Sequence, residues 1–146
     1  MTKMSNTYSE FIYNLHLKDL NVLAFSSNRK EDFLPPAKIQ ITKEAKFENA
    51  NENKIKTYIT YSLSATQKDK KEPGLTISIT YVLTYESKVA MTDEHFQKFA
   101  KSSLLIETWP YFRNFVNEAT MLMGLPPLVL EVLKSGQVSK KRSEKI

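Results

Sequence analysis

Two stretches in the middle of the chain alternate between apolar and polar residues, which is the pattern of a strand with one buried face. In residues 55–65 and 75–85 the odd-numbered positions are mostly apolar or aromatic, whereas most even-numbered positions are Thr, Ser or Lys. The turn-rich segment between them, residues 67–74, ends in Pro-Gly and predicts a hairpin. A sheet with one apolar face and one Thr/Ser-rich face is typically antiparallel and covered on one side.

Two further strands are predicted before this hairpin. In the first, apolar residues alternate with mostly polar neighbours: Phe11, Tyr13, Leu15 and Leu17. Residues 21–25 extend or bend this strand, and the polar residues 26–32 predict a loop. Ile39 and Ile41 begin the second strand, and the Asn-, Glu- and Lys-rich residues 43–54 predict a solvated connection.

The last third of the chain has the periodicity of helices. Thr92 or Asp93 is suited to cap a short helix that ends near Lys101. A long helix over residues 103–123 carries one apolar face at offsets of three and four, formed by Trp109, Phe112, Val116, Ala119 and Met123, which Phe115 and Leu122 widen. Gly124 ends this helix, and a Pro-Pro pair prevents its continuation.

This order of elements predicts an α+β fold, a four-stranded antiparallel sheet with a long helix and a short helix packed on one face. The length of 146 residues fits one domain with a core of its own. We expect a disordered N-terminus over residues 1–10, a single domain over 11–133 and a basic flexible tail over 134–146.

Residues that carry enzymatic chemistry are sparse. The chain has no cysteine and three glycines, so a thiolate site and a Gly-rich phosphate loop are excluded. His16 and His95 are the two histidines, and neither has a second ligand at a suitable spacing. No serine lies in a nucleophile elbow. We therefore expect no catalytic residue, no metal and no cofactor, and we interpret the chain as a non-enzyme.

The net charge of +5 is the next clue, and part of it comes from residues 134–146. The chain has three arginines, and no aromatic residues interleave the charges of the tail, which disfavours nucleic acid as a partner. A basic surface also suits acidic unfolded polypeptides. Residues 1–10 do not form a signal peptide, and the longest apolar run, residues 121–133, is too short to cross a bilayer. We expect a cytoplasmic protein without membrane insertion.

Four motifs occur in an order that is familiar from one protein family. Trp-Pro-Tyr-Phe-Arg at 109–113 and Gly-Leu-Pro-Pro-Leu-Val-Leu at 124–130 resemble the Phe-Pro-Tyr-Ala-Arg and Gly-x-Phe-Pro-x-Leu-x-Leu segments of the SecB family of export chaperones. Residues 12–20 and 36–41 resemble the first two strands of that family. The resemblance covers residues 11–133 and implies the same fold as the periodicity.

The resemblance also implies a function. SecB-like chaperones bind unfolded polypeptides along apolar grooves and assemble as a dimer of dimers. The groove would here be lined by Phe33, Leu34, Met121, Met123, Leu125, Leu128, Val129, Leu130 and Leu133. The subunit interface would involve Tyr13, Leu15, Leu17, Trp109, Tyr111, Phe112 and Phe115.

The chain departs from the export-type members in its charge. Those members are acidic and dock the motor protein SecA through carboxylates on the exposed sheet face. Asp19 matches one of these carboxylates, and the others have no counterpart in this chain. The tail that meets SecA is short and basic in this chain. Three interpretations stay open: a general export chaperone, a chaperone dedicated to one client such as an antitoxin, and a non-chaperone interaction module with the same fold.

Overall fold

An antiparallel sheet covered on one face by helices forms the centre of the protein, as the alternation predicts. The computed structural model describes residues 7–51 and 53–131, and the backbone of residues 142–145. Its elements are α1 (Tyr8–Tyr13), β1 (His16–Arg29), β2 (Ala37–Asn49), β3 (Lys54–Gln67), β4 (Leu75–Glu86), α2 (Asp93–Ala100), α3 (Ser103–Leu122) and β5 (Arg142–Lys145).

The strands lie in the order β1-β4-β3-β2-β5, and every neighbouring pair is antiparallel. The four long strands of this sheet, with a long and a short helix on one face, confirm the predicted fold class. The short β5 extends the sheet at its β2 edge, and it lies within the segment that we predicted to be a flexible tail. The rest of that tail and residues 1–6 lie outside the described residues.

The β3–β4 hairpin supplies most of the sheet's contribution to the core. The odd-numbered residues from 55 to 65 and from 75 to 85 are buried. Tyr61 stacks on Phe112 of α3 with ring centroids 4.6 Å apart, and its hydroxyl hydrogen-bonds Thr108 Oγ1 at 2.7 Å. On the opposite face Thr60 and Thr80 hydrogen-bond each other through their hydroxyls at 2.7 Å. The two faces therefore have the chemistry that the alternation indicates.

The prediction that the first strand begins at Phe11 is wrong. Residues 8–13 form α1, in which the Thr7 side chain accepts a hydrogen bond from the Glu10 amide. The apolar residues at positions 8, 11, 12 and 15 also have helical spacing, and they face the core. With an N-cap before them, the helical pattern prevails over the alternation.

The strands β1 and β2, which lie on either side of the central hairpin, are longer than predicted. β1 continues through the predicted loop to Arg29, and β2 continues through the predicted connection to Asn49. Their polar segments pair in register with β4 and β3, for example Ser26 with Ser78 and Glu44 with Thr60. Outer strands have solvated surfaces, so a polar sequence does not oppose strand formation there.

Candidate functional site

The face of α3 that points into the molecule is fully occupied by its own chain. Trp109 and Phe112 are 3% and 0% exposed and both pack on Tyr61. This corrects the expectation that these two residues lie at a subunit surface. Their rings fill the space between the helix and the sheet and leave almost no exposed area for a second subunit.

The end of α3 is a Schellman motif built on a glycine. Gly124 has φ +75°, and its amide donates to the Met121 carbonyl, while the Leu125 amide donates to the Thr120 carbonyl, both at 3.0 Å. This left-handed conformation favours glycine, as the sequence predicts for the residue that ends the helix. The turn sends the following residues back along the helix.

Residues 125–131, which we call the connector, run antiparallel to α3. Three α3 side chains bind the connector backbone. Thr120 Oγ1 accepts from the Leu128 amide at 3.0 Å, Arg113 Nε donates to the Leu130 carbonyl at 2.8 Å, and Trp109 Nε1 donates to the Glu131 carbonyl at 2.8 Å. The connector is thus fixed to the helix by its backbone.

The predicted groove residues divide into a buried and an exposed group. The buried group consists of Phe33, Leu125, Leu128 and Leu130. Leu34, Met121 and Val129 are 58%, 58% and 66% exposed, and Met123 is half-buried. We call these four the apolar rim. Leu133 lies outside the described residues. The sequence pattern therefore located an apolar region but did not show which of its side chains reach the surface.

Arg29 joins two parts of the predicted groove that are far apart in sequence. Its guanidinium donates from Nη1 to the Met123 carbonyl at 2.6 Å and from Nη2 to the Phe33 carbonyl at 2.9 Å. The loop that carries Leu34 is therefore held beside the end of α3. Sequence reasoning missed Arg29, because a single arginine within a polar segment gives no signal of such a contact.

A second apolar surface lies between β1 and the outer side of α3. Its members are Leu17, Val22, Phe25, Tyr111, Phe115 and Leu122, which we call the strand–helix patch. Phe25 is 68% exposed and meets the edge of Phe115 with centroids 5.7 Å apart. Leu122, predicted to widen the buried stripe, is instead 89% exposed.

Two other predicted interface residues lie outside this patch, and three of its members, Leu122 included, were not predicted to belong to an interface. Tyr13 is 83% exposed, and Leu15 is half-buried. Val22 and Phe25 were missed by sequence reasoning. They pair with Tyr81 and Ile79, two buried residues of β4, so they lie on the inward face of the sheet at its edge, where the helices leave them exposed.

Three tyrosines of β3 and β4 are buried between the sheet and α3. The Tyr85 hydroxyl donates to Glu107 Oε1 at 2.6 Å. Burial is the main reason that the pKa of Tyr85 is raised, and the neighbouring Glu107 carboxylate adds to it. Burial likewise raises the pKa of Tyr61 and Tyr81. These hydroxyls stay protonated near neutral pH, and those of Tyr61 and Tyr85 are hydrogen-bonded to α3.

Within residues 7–51 and 53–131, no group of three or more His, Asp or Glu side chains is arranged to hold a metal ion. The imidazole of His95 stacks on Phe11 with centroids 5.0 Å apart, and His16 lies exposed at the start of β1. Among the described helices, none combines the length and apolarity that a membrane span requires.

The fold of this chain is similar to that of a solved structure. The Mycobacterium tuberculosis SecB-like chaperone Rv1957, solved in complex with a ChAD peptide from the HigA1 antitoxin, superimposes with a TM-score of 0.72. The match covers 86% of this chain and 92% of that one at 18% sequence identity. The chain has the SecB-like fold.

A protein of unknown function from Streptococcus agalactiae also matches, with a TM-score of 0.43, 14% identity and coverage of 80% of this chain and 96% of that one. No protein-family model matches the chain, and no curated protein does.

Proposed function

We propose that this protein is a molecular chaperone that binds unfolded or partly folded polypeptides and keeps them soluble. The observation that carries the proposal is the apolar rim: Leu34 and Met121 beside the end of α3, and Val129 on the connector that returns along the helix, each expose more than half of their surface. Apolar side chains grouped on a surface are typical of a binding site for apolar partners. The SecB-like fold supports the same proposal.

The composition of the rim suits clients of varied sequence. Met121 and Met123 have flexible, polarisable side chains that adapt to different apolar shapes. The net charge of +5 adds a long-range attraction for acidic segments of an unfolded chain. The rim would therefore provide contact area, and the charge would favour encounter.

The identity of the client separates two versions of the proposal. In the first, the protein serves protein export and meets SecA, with Asp19 as a docking carboxylate. Asp19 is exposed and pairs with Thr84, a residue of the solvated sheet face. In the second, the chaperone is dedicated to one client such as an antitoxin. The structure of the similar protein Rv1957, which was solved in complex with an antitoxin peptide, supports the second version.

We further propose that the protein self-associates through the strand–helix patch. Phe25, Tyr111 and Leu122 expose large apolar areas on one side of the molecule. Among the described strands, β1 is the outer one at this side of the sheet, and its neighbour is β4. A copy of the same chain would cover both the strand and the helix, and a dimer of dimers is the assembly that the resemblance leads us to expect.

Binding of an unfolded polypeptide tests the function. The probe is fluorescein-labelled, reduced and carboxymethylated pancreatic trypsin inhibitor, a permanently unfolded chain, and the readout is fluorescence anisotropy. A dissociation constant in the micromolar range or below supports a general chaperone. Absence of binding, together with tight binding to the antitoxin of a neighbouring toxin–antitoxin gene pair, supports the dedicated version. Absence of both leaves an interaction module without chaperone function.

A further inference from the structure

The connector is held in the way that a chaperone would hold an unfolded chain. Each of the three hydrogen bonds from Thr120, Arg113 and Trp109 goes to a backbone amide or carbonyl of the connector. Backbone groups are the same in nearly every polypeptide, so these three side chains select an extended conformation and not a sequence. The polar groups of this stretch of α3 are thus suited to polypeptides in general.

The apolar contacts of the connector follow the same logic. Leu128 and Leu130 are 6% and 1% exposed, and Val129 between them is 66% exposed. This in-out-in order is the period of two of an extended chain. The surface beneath the connector therefore accepts apolar side chains at alternate positions. This alternation is frequent in sequences that become half-buried strands when the client folds.

The attachment of the connector is local. Pro126 and Pro127 lack an amide hydrogen, so these two residues cannot donate to the helix or the sheet. Gly124, with φ +75° and no atom within 4 Å of an added Cβ, gives the chain freedom to turn at the point where the connector begins. Opening at Gly124 would release the connector without unfolding α3.

We infer that the α3 side chains Trp109, Arg113 and Thr120 form a binding site for an extended apolar polypeptide, and that the connector is its resident occupant, which a client segment displaces. This inference rests on the proposed chaperone function and adds the site at which the client backbone is bound. In the closed state Leu128 and Leu130 protect the apolar surface from water. In the open state the same three side chains bind the backbone of the client.

Displacement has a measurable consequence for affinity. A client that binds only the open state has an apparent dissociation constant equal to the intrinsic constant divided by the open fraction. A substitution that weakens the packing of the connector on α3 raises the open fraction and therefore tightens client binding. If the connector were instead a fixed wall of the groove, weakening it would remove client contacts and lower affinity. The two arrangements predict opposite signs.

The first experiment compares Leu130→Ala with Leu104→Ala in the anisotropy assay with carboxymethylated trypsin inhibitor. Both leucines are buried, at 1% and 0% exposure, and Leu104 lies at the start of α3, so it controls for general loosening of the core. We expect client binding to tighten about fivefold or more in Leu130→Ala alone, by an increase in the open fraction. Weaker or unchanged binding in Leu130→Ala, or equal tightening in both variants, overturns the inference.

The second experiment follows the connector directly and needs no variant. The Leu128 amide donates to Thr120 Oγ1 at 3.0 Å, so in the closed state it is protected from hydrogen exchange. We expect saturation with carboxymethylated trypsin inhibitor to speed exchange of the Leu128 amide about fivefold or more, because a displaced connector is in the open state. Unchanged or slower exchange of this amide in the presence of the client overturns the inference. Absence of trypsin-inhibitor binding in every variant and in the wild type refutes the general chaperone, and absence of antitoxin binding as well refutes the chaperone function itself.

Discussion

Arg29 Nη1 lies 2.6 Å from the carbonyl oxygen of Met123, which joins the last residue of β1 to the residue that follows α3. The same guanidinium binds the Phe33 carbonyl through Nη2. One side chain therefore holds together the sheet edge, the loop that carries Leu34 and the end of the long helix. These are the parts of the chain that surround the apolar rim.

The Arg29 contact is testable by stability. We expect Arg29→Met to lower the free energy of unfolding by about 2 kcal/mol, because hydrogen bonds from charged groups contribute about 1.5–3 kcal/mol. The measurement is equilibrium unfolding in urea. Lys30→Met is the matched control, since Lys30 is exposed and substitution there should change stability by less than about 0.5 kcal/mol. Equal effects of the two substitutions would contradict the role of Arg29.

Alkaline pH should destabilise the protein through its buried tyrosines. Burial raises the pKa of Tyr61, Tyr81 and Tyr85, so in the folded state these hydroxyls stay protonated at a pH at which the unfolded chain has lost its protons. Stability is therefore complete below the ordinary tyrosine pKa of about 10 and falls as pH rises above it, by up to about 1.4 kcal/mol per pH unit for each tyrosine.

Urea unfolding between pH 8 and 11 measures this slope. Tyr85→Phe should make the slope less steep, because one group no longer titrates differently in the two states. Tyr13→Phe, at a residue 83% exposed, is the control and should leave the slope unchanged. A slope that Tyr85→Phe does not alter would mean that this tyrosine is not the source of the alkaline instability.

The apolar rim is testable by adding a charge at its exposed part. Met121→Asp should weaken client binding about tenfold, equivalent to about 1.4 kcal/mol, because a carboxylate covered by an apolar client loses its hydration. Met121 is 58% exposed, so the free protein should keep its stability. Anisotropy measures affinity, and circular dichroism during heating measures stability. Gln97→Asp adds the same charge on α2, and an equal loss of affinity there would attribute the effect to net charge.

The strand–helix patch predicts self-association. Sedimentation velocity of the wild type at micromolar concentration should give a mass above that of one chain. Phe25→Asp should lower that mass, because Phe25 is 68% exposed in the single chain and its aspartate would be buried by a second copy. Ser26→Asp is the control on the following residue, which pairs with Ser78. A wild-type mass of one chain, or an unchanged mass in Phe25→Asp, would refute this use of the patch.

The elements that the sequence predicts well are those whose pattern and burial agree. The alternation over residues 55–65 and 75–85 corresponds to β3 and β4, because these central strands bury one face along their whole length. The long helix ends where Gly124 predicts, because the positive φ of that residue is a local requirement. Both signals are contained in the residues themselves.

The elements that the sequence predicts poorly depend on neighbours distant in the chain. β1 reaches Arg29 because β4 offers it a partner along that length, and nothing in the polar residues 26–29 indicates this. Leu128, Val129 and Leu130 of the connector are all apolar, so their composition does not distinguish the two buried leucines from the exposed valine. The hydrogen bonds of the connector backbone to Trp109, Arg113 and Thr120 fix which of them face inward. The resemblance to a known family indicated which segments form the candidate site. The arrangement of their side chains follows only from the structure.

Suppression of aggregation is the most direct test of the central claim. A chemically denatured polypeptide that aggregates on dilution is diluted into buffer with and without an equimolar amount of the protein, and light scattering is followed. The account predicts that scattering is largely suppressed and that Met121→Asp suppresses it less than the wild type. Scattering equal to that with the same mass of serum albumin would contradict the claim that this protein holds unfolded chains in solution.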